Sequence, residues 1–306
     1  MFKKIINERG FFMFEEFFGE YLVKTGKLTS EQMLSVKEVM KTARVKLGLI
    51  AVAEKMLTES QADEINRLQA VMDKRFGDIA VEKGYLTDAQ VGQLLGLQGN
   101  PYLQFVQAVT DNEFMSMQDV EAAISDYKSD NDFSDDDIVA IKSGDIDKIS
   151  SVFVKSDNRF VTDLTSLALR NIVRFISTEI SLNKLEYITD YKFEHLATQP
   201  VVGDHNILLG FAGDNTSLLS IAIPFAHEEF EAIDEDSYDS VCEFINTING
   251  LYASKSSYAG ISIDMEPPLF YDNGNITSQK IYKLPMTISQ KSVDLIVIID
   301  TDYSIN

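Results

Sequence analysis

Several residue types are scarce in this chain, and each scarcity narrows what the protein can be. The 306 residues hold no tryptophan, one cysteine and three histidines. The single cysteine, Cys242, cannot form an internal disulfide, and with no signal peptide visible we predict a cytoplasmic protein. No histidine lies near Cys242 in sequence, which favours a small structural thiol over a nucleophile. His195, His205 and His227 do not match any metal-ligand spacing, so we expect no metal site.

Positive charge and long apolar runs are scarce too. Lysine and arginine number 27 against 48 acidic residues, a net charge of −21. Nucleic acids and anionic membranes both bind through positive charge, so neither is an expected partner. Residues 1–22 are rich in phenylalanine, but acids and a glycine interrupt them, and no stretch there could span a bilayer. We predict an amphipathic helix at this position and no membrane insertion.

The first part of the chain contains a sequence repeat with a period of 29 residues. Each copy has a glycine, then leucine and threonine, then a glutamine three places after the threonine. The aligned positions are Gly19, Gly48 and Gly77; Thr29, Thr58 and Thr87; and Gln32, Gln61 and Gln90. The spacing T-x-x-Q is that of a capping box, in which the threonine and the glutamine side chains each bind the other's backbone N–H. Each unit therefore predicts a helical hairpin that buries its apolar side against its neighbours.

Apolar residues follow each predicted cap, and a fourth copy is visible in weaker form. The predicted buried ladders are Met33 and Val36; Ala62 and Ile65; and Val91, Leu94 and Leu95. The fourth copy has Ser116 and Asp119 in place of threonine and glutamine, followed by Val120 and Ile124. Gly26 and Gly84 precede the caps at positions that favour a left-handed helix end, where the second copy has Lys55.

The stretch RFGDIAVEKGYLTDAQVGQLLGLQ, residues 75–98, resembles the tandem repeats in the N-terminal domains of type II secretion and type IV pilus assembly ATPases. Some of those domains bind cyclic di-GMP through a residue just before the glycine and through the terminal glutamine. The resemblance places these roles on Lys46 and Gln69 in one unit and on Arg75 and Gln98 in the next. The alternative is a helical scaffold or protein-docking domain with no nucleotide.

An acidic stretch separates the repeats from the second half. Its densest part, SDNDFSDDD, is not a calcium loop, because Asp135 stands where a glycine is required and Ile141 where a glutamate is required. Ser134 has the context of a helix N-cap. We predict a helical repeat domain over residues 1–110, an acidic, partly helical connector over 111–152 that includes the degenerate fourth repeat, and a second domain over 153–306.

The second half has an α+β pattern. Residues 162–180 predict a long helix, and another helix covers residues 239–258. Strand-like runs lie between and after them: KLEYITDY, HNILLGFAGD, SLLSIAIPF, GISIDM, QKIYKLPMTI and VDLIVIID. The predicted fold class is α+β, with all-α helical-hairpin repeats followed by a domain of long helices packed on one mostly antiparallel sheet.

The helix at 239–258 places an acid and an amide together on its outer face. Val241, Ile245, Ile248 and Tyr252 recur at helical spacing and form the predicted buried stripe. At about 100° per residue, Glu243 and Asn246 fall on the opposite side, where residues three apart are neighbours. Asn249 lies between the two faces, and Gly250 lies on the exposed one. Such a pair can form a docking and catalytic surface, or it can be an ordinary solvated helix face.

The segment EFINTINGLYASKSSYAGISIDMEPP, followed by YKLPMTI, is similar to the CheC, CheX and FliY family of chemotaxis phosphatases, and most of all to CheX. The shared elements are E-x-x-N on a helix, a downstream small residue, a strand ending in two prolines and a lysine-leucine-proline strand. Members with two sites carry the motif on both long helices; here Ala168 stands three residues before Asn171, so the resemblance implies one site.

Family members hydrolyse the aspartyl phosphate of a CheY-type response-regulator receiver domain. The resemblance implies that Asn246 orients the attacking water, that Glu243 pairs with a lysine of the receiver, and that Asn249 and Gly250 contact this partner. It also implies a homodimer. This chain would need no cofactor of its own, because the receiver brings the Mg²⁺. Two alternatives stay open: a non-catalytic adaptor that binds phosphorylated receivers, and a regulator that responds to cyclic di-GMP through its repeats.

Overall fold

The structure, a computed structural model, describes residues 13–41, 44–72 and 74–306. Residue contacts divide the chain into two compact units, Met1–Gly144 and Asp145–Asn306. An amphipathic helix was predicted over residues 1–22, and residues 1–12 of it lie outside the described residues. In the described ranges, no helix is both long and apolar enough to cross a membrane.

The described part of the first unit consists of helices and short turns. The helices are α1 (Phe14–Lys24), α2 (Ser30–Met40), α3 (Leu47–Ala53), α4 (Glu59–Gln69), α5 (Phe76–Glu82), α6 (Asp88–Gly96), α7 (Pro101–Asp111), α8 (Met117–Asp130) and α9 (Asp135–Lys142). Ser134 caps α9 and forms a capping box with Asp137, so the predicted N-cap is confirmed. The acidic stretch is therefore helical over most of its length.

The capping boxes predicted from the repeat are present in all four copies. Thr29, Thr58 and Thr87 each accept a hydrogen bond from the backbone of a glutamine whose side chain accepts one in return. Ser116 and Asp119 make the same exchange at the start of α8. Because these bonds join residues three apart, a short sequence motif was enough to predict them.

The turn before each cap has the same backbone conformation in all four copies. Gly26, Lys55, Gly84 and Glu113 are spaced 29 residues apart, and all have a positive φ between 57° and 72°. Lysine and glutamate rarely adopt this left-handed conformation, so packing of the hairpins maintains it where the sequence departs from glycine. Gly77 is required for a different reason: a Cβ at this position would lie 2.7 Å from Val91 Cγ1.

The predicted ladders form the core of the repeats, with one exception. Their residues are buried or half-buried, including Val36, Ile65, Leu94 and Val120. Leu95 was expected to be buried with Leu94, but 49% of its surface is exposed. Helix α6 packs against its neighbours through Leu94. Leu95 is the next residue along the helix, and its side chain therefore points about 100° away from that of Leu94.

Replacing Thr58 with alanine is expected to lower the free energy of unfolding by about 1 kcal/mol, because the Gln61 backbone N–H in the first turn of α4 loses the Thr58 hydroxyl as its acceptor. Urea denaturation followed by circular dichroism measures the change. Ser60→Ala is the matched control: Ser60 is exposed in the first turn of the same helix. A loss for Thr58→Ala no larger than that of the control would contradict the capping role.

The second unit combines helices with a seven-stranded sheet. Its helices are α10 (Ile146–Phe153), α11 (Arg159–Asn171), α12 (Asn215–Ala226) and α13 (Glu235–Tyr258), and a π-helical turn at Ile172–Ile176 follows α11. Its strands are β1 (Ile180–Leu182), β2 (Glu186–Gly203), β3 (Ile207–Gly213), β4 (Ile263–Met265), β5 (Leu269–Ile288), β6 (Lys291–Ile299) and β7 (Tyr303–Ile305). The α+β class and the helices on an antiparallel sheet are as predicted.

The four long strands pair in a closed ring. Strand β2 pairs with β3, β3 with β6, β6 with β5, and β5 again with β2, all antiparallel. Strand β1 extends the sheet beside β5, and β4 extends it beside β2. One face of the ring holds an apolar cluster made by Phe193, Leu196, Leu208, Ala212, Ile276, Ile281, Ile296 and Ile298. The other face packs against α12 and α13 and carries the candidate site.

Two predicted elements of this unit were wrong. The long helix of residues 162–180 ends earlier, because Ile180 begins β1 and pairs with Ile288. The run SLLSIAIPF was predicted as a strand, but it forms most of α12. Asp214 caps this helix by accepting a bond from the Ser217 N–H. Bonds from the Ser217 side chain and backbone also lower the pKa of the Asp214 carboxyl below its usual value.

Candidate functional site

Helix α13 carries the predicted acid and amide, and its rotation is set by the residues it buries. Asp234 caps the helix through a reciprocal bond pair with Ser237. The predicted stripe of Val241, Ile245, Ile248 and Tyr252 is buried, which confirms the face that was assigned to the core. Phe244 is fully buried as well.

Glu243 stands on the outer face of α13. Its side chain is exposed, and among the described residues its carboxylate has no ion-pair partner. Asp239 and Asp236 are also exposed and lie one and two turns before it, respectively, on the same side of the helix. The N-terminal half of this face is therefore an acidic strip, with a carboxylate free to pair with a cation from outside.

Asn246 is half-buried, and its carboxamide is held from below. The Gln199 side chain donates from Nε2 to Asn246 Oδ1 over 2.9 Å. Gln199 lies on β2, is 1% exposed, and points to the sheet face that α13 covers. The bond to Gln199 thus fixes the orientation of the Asn246 amide, and the residue as a whole remains partly exposed, three places after Glu243.

Asn249 and Gly250 have different environments, although both were predicted to contact a partner. Asn249 is 1% exposed, and its Nδ2 donates to Gln199 Oε1 over 2.9 Å. It lies beneath the surface and is not available for a direct contact, because the helix buries a wider side than the predicted stripe. Gly250 is half-buried, and Met265 of β4 lies next to it, with 42% of its own surface exposed.

Gln199 was missed by the sequence analysis. It stands in LATQPVV, a run in which the neighbours on both sides are mostly apolar. A polar residue at a core-facing strand position needs a partner, and this requirement was the available signal. The partners are 47 and 50 residues away, so the sequence alone could not name them.

The first long helix has no equivalent of this surface. Ala168 and Asn171 are both buried, and Asn171 Nδ2 donates to Leu167 O within its own helix. The E-x-x-N pattern is absent there in sequence, and the corresponding positions face the interior. The sequence contains E-x-x-N once, at Glu243 and Asn246.

Three of the four residues assigned to a nucleotide, Lys46, Gln69 and Gln98, are engaged in contacts within the repeats. Gln98 Nε2 donates to Val45 O beside Lys46, and Gln69 Nε2 donates to Lys74 O beside Arg75. Each glutamine therefore bonds to the backbone at the start of a repeat unit: Gln98 to that of the second unit and Gln69 to that of the third. The Lys46 ammonium pairs with both oxygens of Asp111 at 2.9 Å. Cyclic di-GMP binding stays a prediction, and a phosphate at Lys46 would have to displace Asp111.

Cys242 lies beside the acidic strip but is buried. Burial raises the pKa of its thiol to about 11, and the nearby Asp239 carboxylate acts in the same direction. A thiol of this pKa is almost entirely protonated at neutral pH, which agrees with a structural role and not with a nucleophile.

A cavity of about 480 Å³ lies on the other face of the sheet. Its lining includes Pro200, Leu208, Ile298 and Asp300. Side chains alternate between the faces of a strand, so Pro200 points away from α13 while Gln199 points toward it. Neither Glu243 nor Asn246 lines this cavity; the exposed Glu243 and the half-buried Asn246 lie on α13.

Residues 196–291 match the family model of the chemotaxis phosphatase CheX. The matched segment includes Gln199 and all of α13. The resemblance of this part of the chain to the CheX family is confirmed, whereas that of the N-terminal repeats to assembly ATPases stays a prediction. No curated protein matches the chain significantly.

Several solved structures are similar to the second unit. A CheC-like superfamily protein from Shewanella sp. PV-4 is 20% identical, with a TM-score of 0.42, covering 47% of this chain and 99% of its own. A chemotaxis protein CheX from Vibrio vulnificus is 16% identical, with a TM-score of 0.41, covering 47% of this chain and 100% of its own. CheX in a CheX–CheY–BeF₃–Mg²⁺ complex from Borrelia burgdorferi is 14% identical, with a TM-score of 0.33, covering 46% and 97%.

Proposed function

We propose that this protein hydrolyses the aspartyl phosphate of a CheY-type receiver domain, with α13 as the docking and catalytic surface. One observation carries the proposal. An exposed, unpaired carboxylate and a carboxamide fixed from below share the outer face of a helix, inside the segment that matches the CheX family. A solvated helix face does not require a buried glutamine to hold one of its amides.

In the proposed reaction Asn246 positions the attacking water. An aspartyl phosphate is already activated, so the catalyst mainly has to place a water in line with phosphorus. A carboxamide can accept a hydrogen bond from that water and donate one to a phosphoryl oxygen at the same time. Holding reactants in this geometry can lower the barrier by several kcal/mol.

Glu243 recognises the partner in this proposal. Its free carboxylate would pair with a lysine of the receiver, and such a pair fixes the register of the two surfaces. Asp236 and Asp239 extend the negative strip and would speed the encounter with a positively charged surface. The Mg²⁺ that neutralises the phosphoryl group would come with the receiver, and this chain would bind no cofactor.

A panel of receiver domains, each phosphorylated with a radiolabelled donor, tests the proposal. We expect the full chain to accelerate phosphate loss from at least one receiver at catalytic concentrations. Binding to a phosphorylated receiver without faster phosphate loss would favour the non-catalytic adaptor instead. The proposal would be overturned if the protein neither bound nor dephosphorylated any receiver of the same organism.

A further inference from the structure

The polar contacts beneath Asn246 form a branched network centred on Gln199. Gln199 Nε2 donates to Asn246 Oδ1 and to the backbone oxygen of Glu266, each over 2.9 Å. Gln199 Oε1 accepts from Asn249 Nδ2 over 2.9 Å. Two oxygens and one nitrogen, from α13 and from the segment after β4, therefore meet at one buried side chain of β2.

The Glu266 carbonyl fixes the orientation of the Gln199 side-chain amide. A backbone carbonyl can only accept, so the amino group of Gln199 must face it. Pro267 follows Glu266 and restricts its backbone to extended conformations, and the Glu266 N–H donates to Pro200 O. This carbonyl is consequently a fixed acceptor, and Gln199 cannot turn its amide without losing the bond.

The orientation of the Gln199 amide also determines that of the Asn246 amide. The amino group of Gln199 faces Glu266 and also donates to Asn246, so Asn246 must accept this bond through Oδ1. Gln199 takes one lone pair of Oδ1, and the other lone pair and both N–H bonds of Nδ2 remain for groups outside the described chain. A water and a phosphoryl oxygen need this combination of acceptor and donors.

We propose that Gln199 is the positioning residue of the site, locking the Asn246 carboxamide in the one orientation that can orient a water and bind a phosphoryl oxygen. The contacts to water and phosphoryl oxygen rest on the proposed function, whereas the hydrogen bonds between Gln199, Asn246, Asn249 and Glu266 do not. Asn249 acts one step further back, since its bond to Oε1 holds Gln199 in place. This role explains why an asparagine of the helix is buried under the surface.

The central test replaces Gln199 with methionine, which keeps the length of the side chain and removes its donor and acceptor. We expect kcat for phospho-receiver hydrolysis to fall about 10- to 100-fold, since small misplacements of a catalytic group have effects of this size. KM should change by less than about twofold, because Glu243 and the helix surface are unaltered. An unchanged kcat would overturn the inference.

A second measurement does not depend on activity. The Asn246 side-chain NH₂ signals can be assigned in ¹⁵N NMR spectra by their loss in Asn246→Ala. Their order parameter should fall in Gln199→Met because the amide becomes free to rotate; an equally ordered amide would overturn the inference even if no receiver is a substrate. Failure of the wild-type chain to act on any receiver would instead contradict the proposed function.

Two further variants separate positioning from general destabilisation. Asn249→Leu keeps the size of the side chain and removes only the bond to Gln199 Oε1; it should shift kcat and the order parameter in the same direction as Gln199→Met, but less. Thr198→Val is the control: its buried hydroxyl donates to Leu209 O on the neighbouring strand. It should leave kcat and the Asn246 signals unchanged, and equal losses in Thr198→Val would contradict a specific role for Gln199.

Discussion

Asn246→Ala is expected to lower kcat for phospho-receiver hydrolysis at least about 100-fold. Alanine can neither accept a hydrogen bond from the attacking water nor donate one to a phosphoryl oxygen, and losing one positioned group of this kind has effects of that order. KM should change by less than about threefold, because the carboxylate of Glu243 and the rest of the α13 surface still contact the receiver. Steady-state release of radiolabelled phosphate over a range of phospho-receiver concentrations measures kcat and KM.

The fold should tolerate this substitution. Asn246 is half-buried and its amide bonds to Gln199, which keeps the Glu266 carbonyl as a second acceptor. The expected loss in the free energy of unfolding is about 1 kcal/mol or less. Ser240→Ala is the matched control on the same helix: its hydroxyl bonds only to Asp236 O, so kcat should not change. Turnover by Asn246→Ala within about threefold of the wild type would contradict the catalytic assignment.

The features that sequence reasoning predicted correctly are those set by neighbours along the chain. The capping boxes at Thr29, Thr58 and Thr87 depend on residues three apart, and the buried stripe of α13 depends on the helical period. Glu243 was placed on the outer face for the same reason. Interactions between residues close in sequence were sufficient to predict a feature wherever a single helix contains all the residues that determine it.

The features that were missed depend on contacts between distant segments. Residues 217–225 are apolar enough for a strand, and only the cap at Asp214 and the packing against the sheet decide for a helix. Asn249 was placed between the buried and exposed faces but is buried, because a single stripe predicts a narrower buried side than a helix on a broad sheet has. Gln199 belongs to the site through a strand that the chain leaves well before α13 begins.

Phe244→Ala is expected to lower the free energy of unfolding of the second unit by about 3–5 kcal/mol. The ring of Phe244 is fully buried and lies 5.6 Å from that of Phe211 on β3 and 5.2 Å from that of Phe225 on α12. Truncation would leave a cavity between helix and sheet that these rigid neighbours cannot fill. Urea denaturation, with hydrogen exchange to follow the amides of α13, measures the loss.

Tyr258→Ala is the matched control, since this aromatic residue ends the same helix with 95% of its surface exposed and should cost less than about 0.5 kcal/mol. Equal losses for the two variants would show that Phe244 does not anchor the helix. The anchor bears directly on the site, because Phe244 stands between Glu243 and Asn246. Its insertion between β3 and α12 sets the rotation of α13, and that rotation places the carboxylate outside and the carboxamide over Gln199.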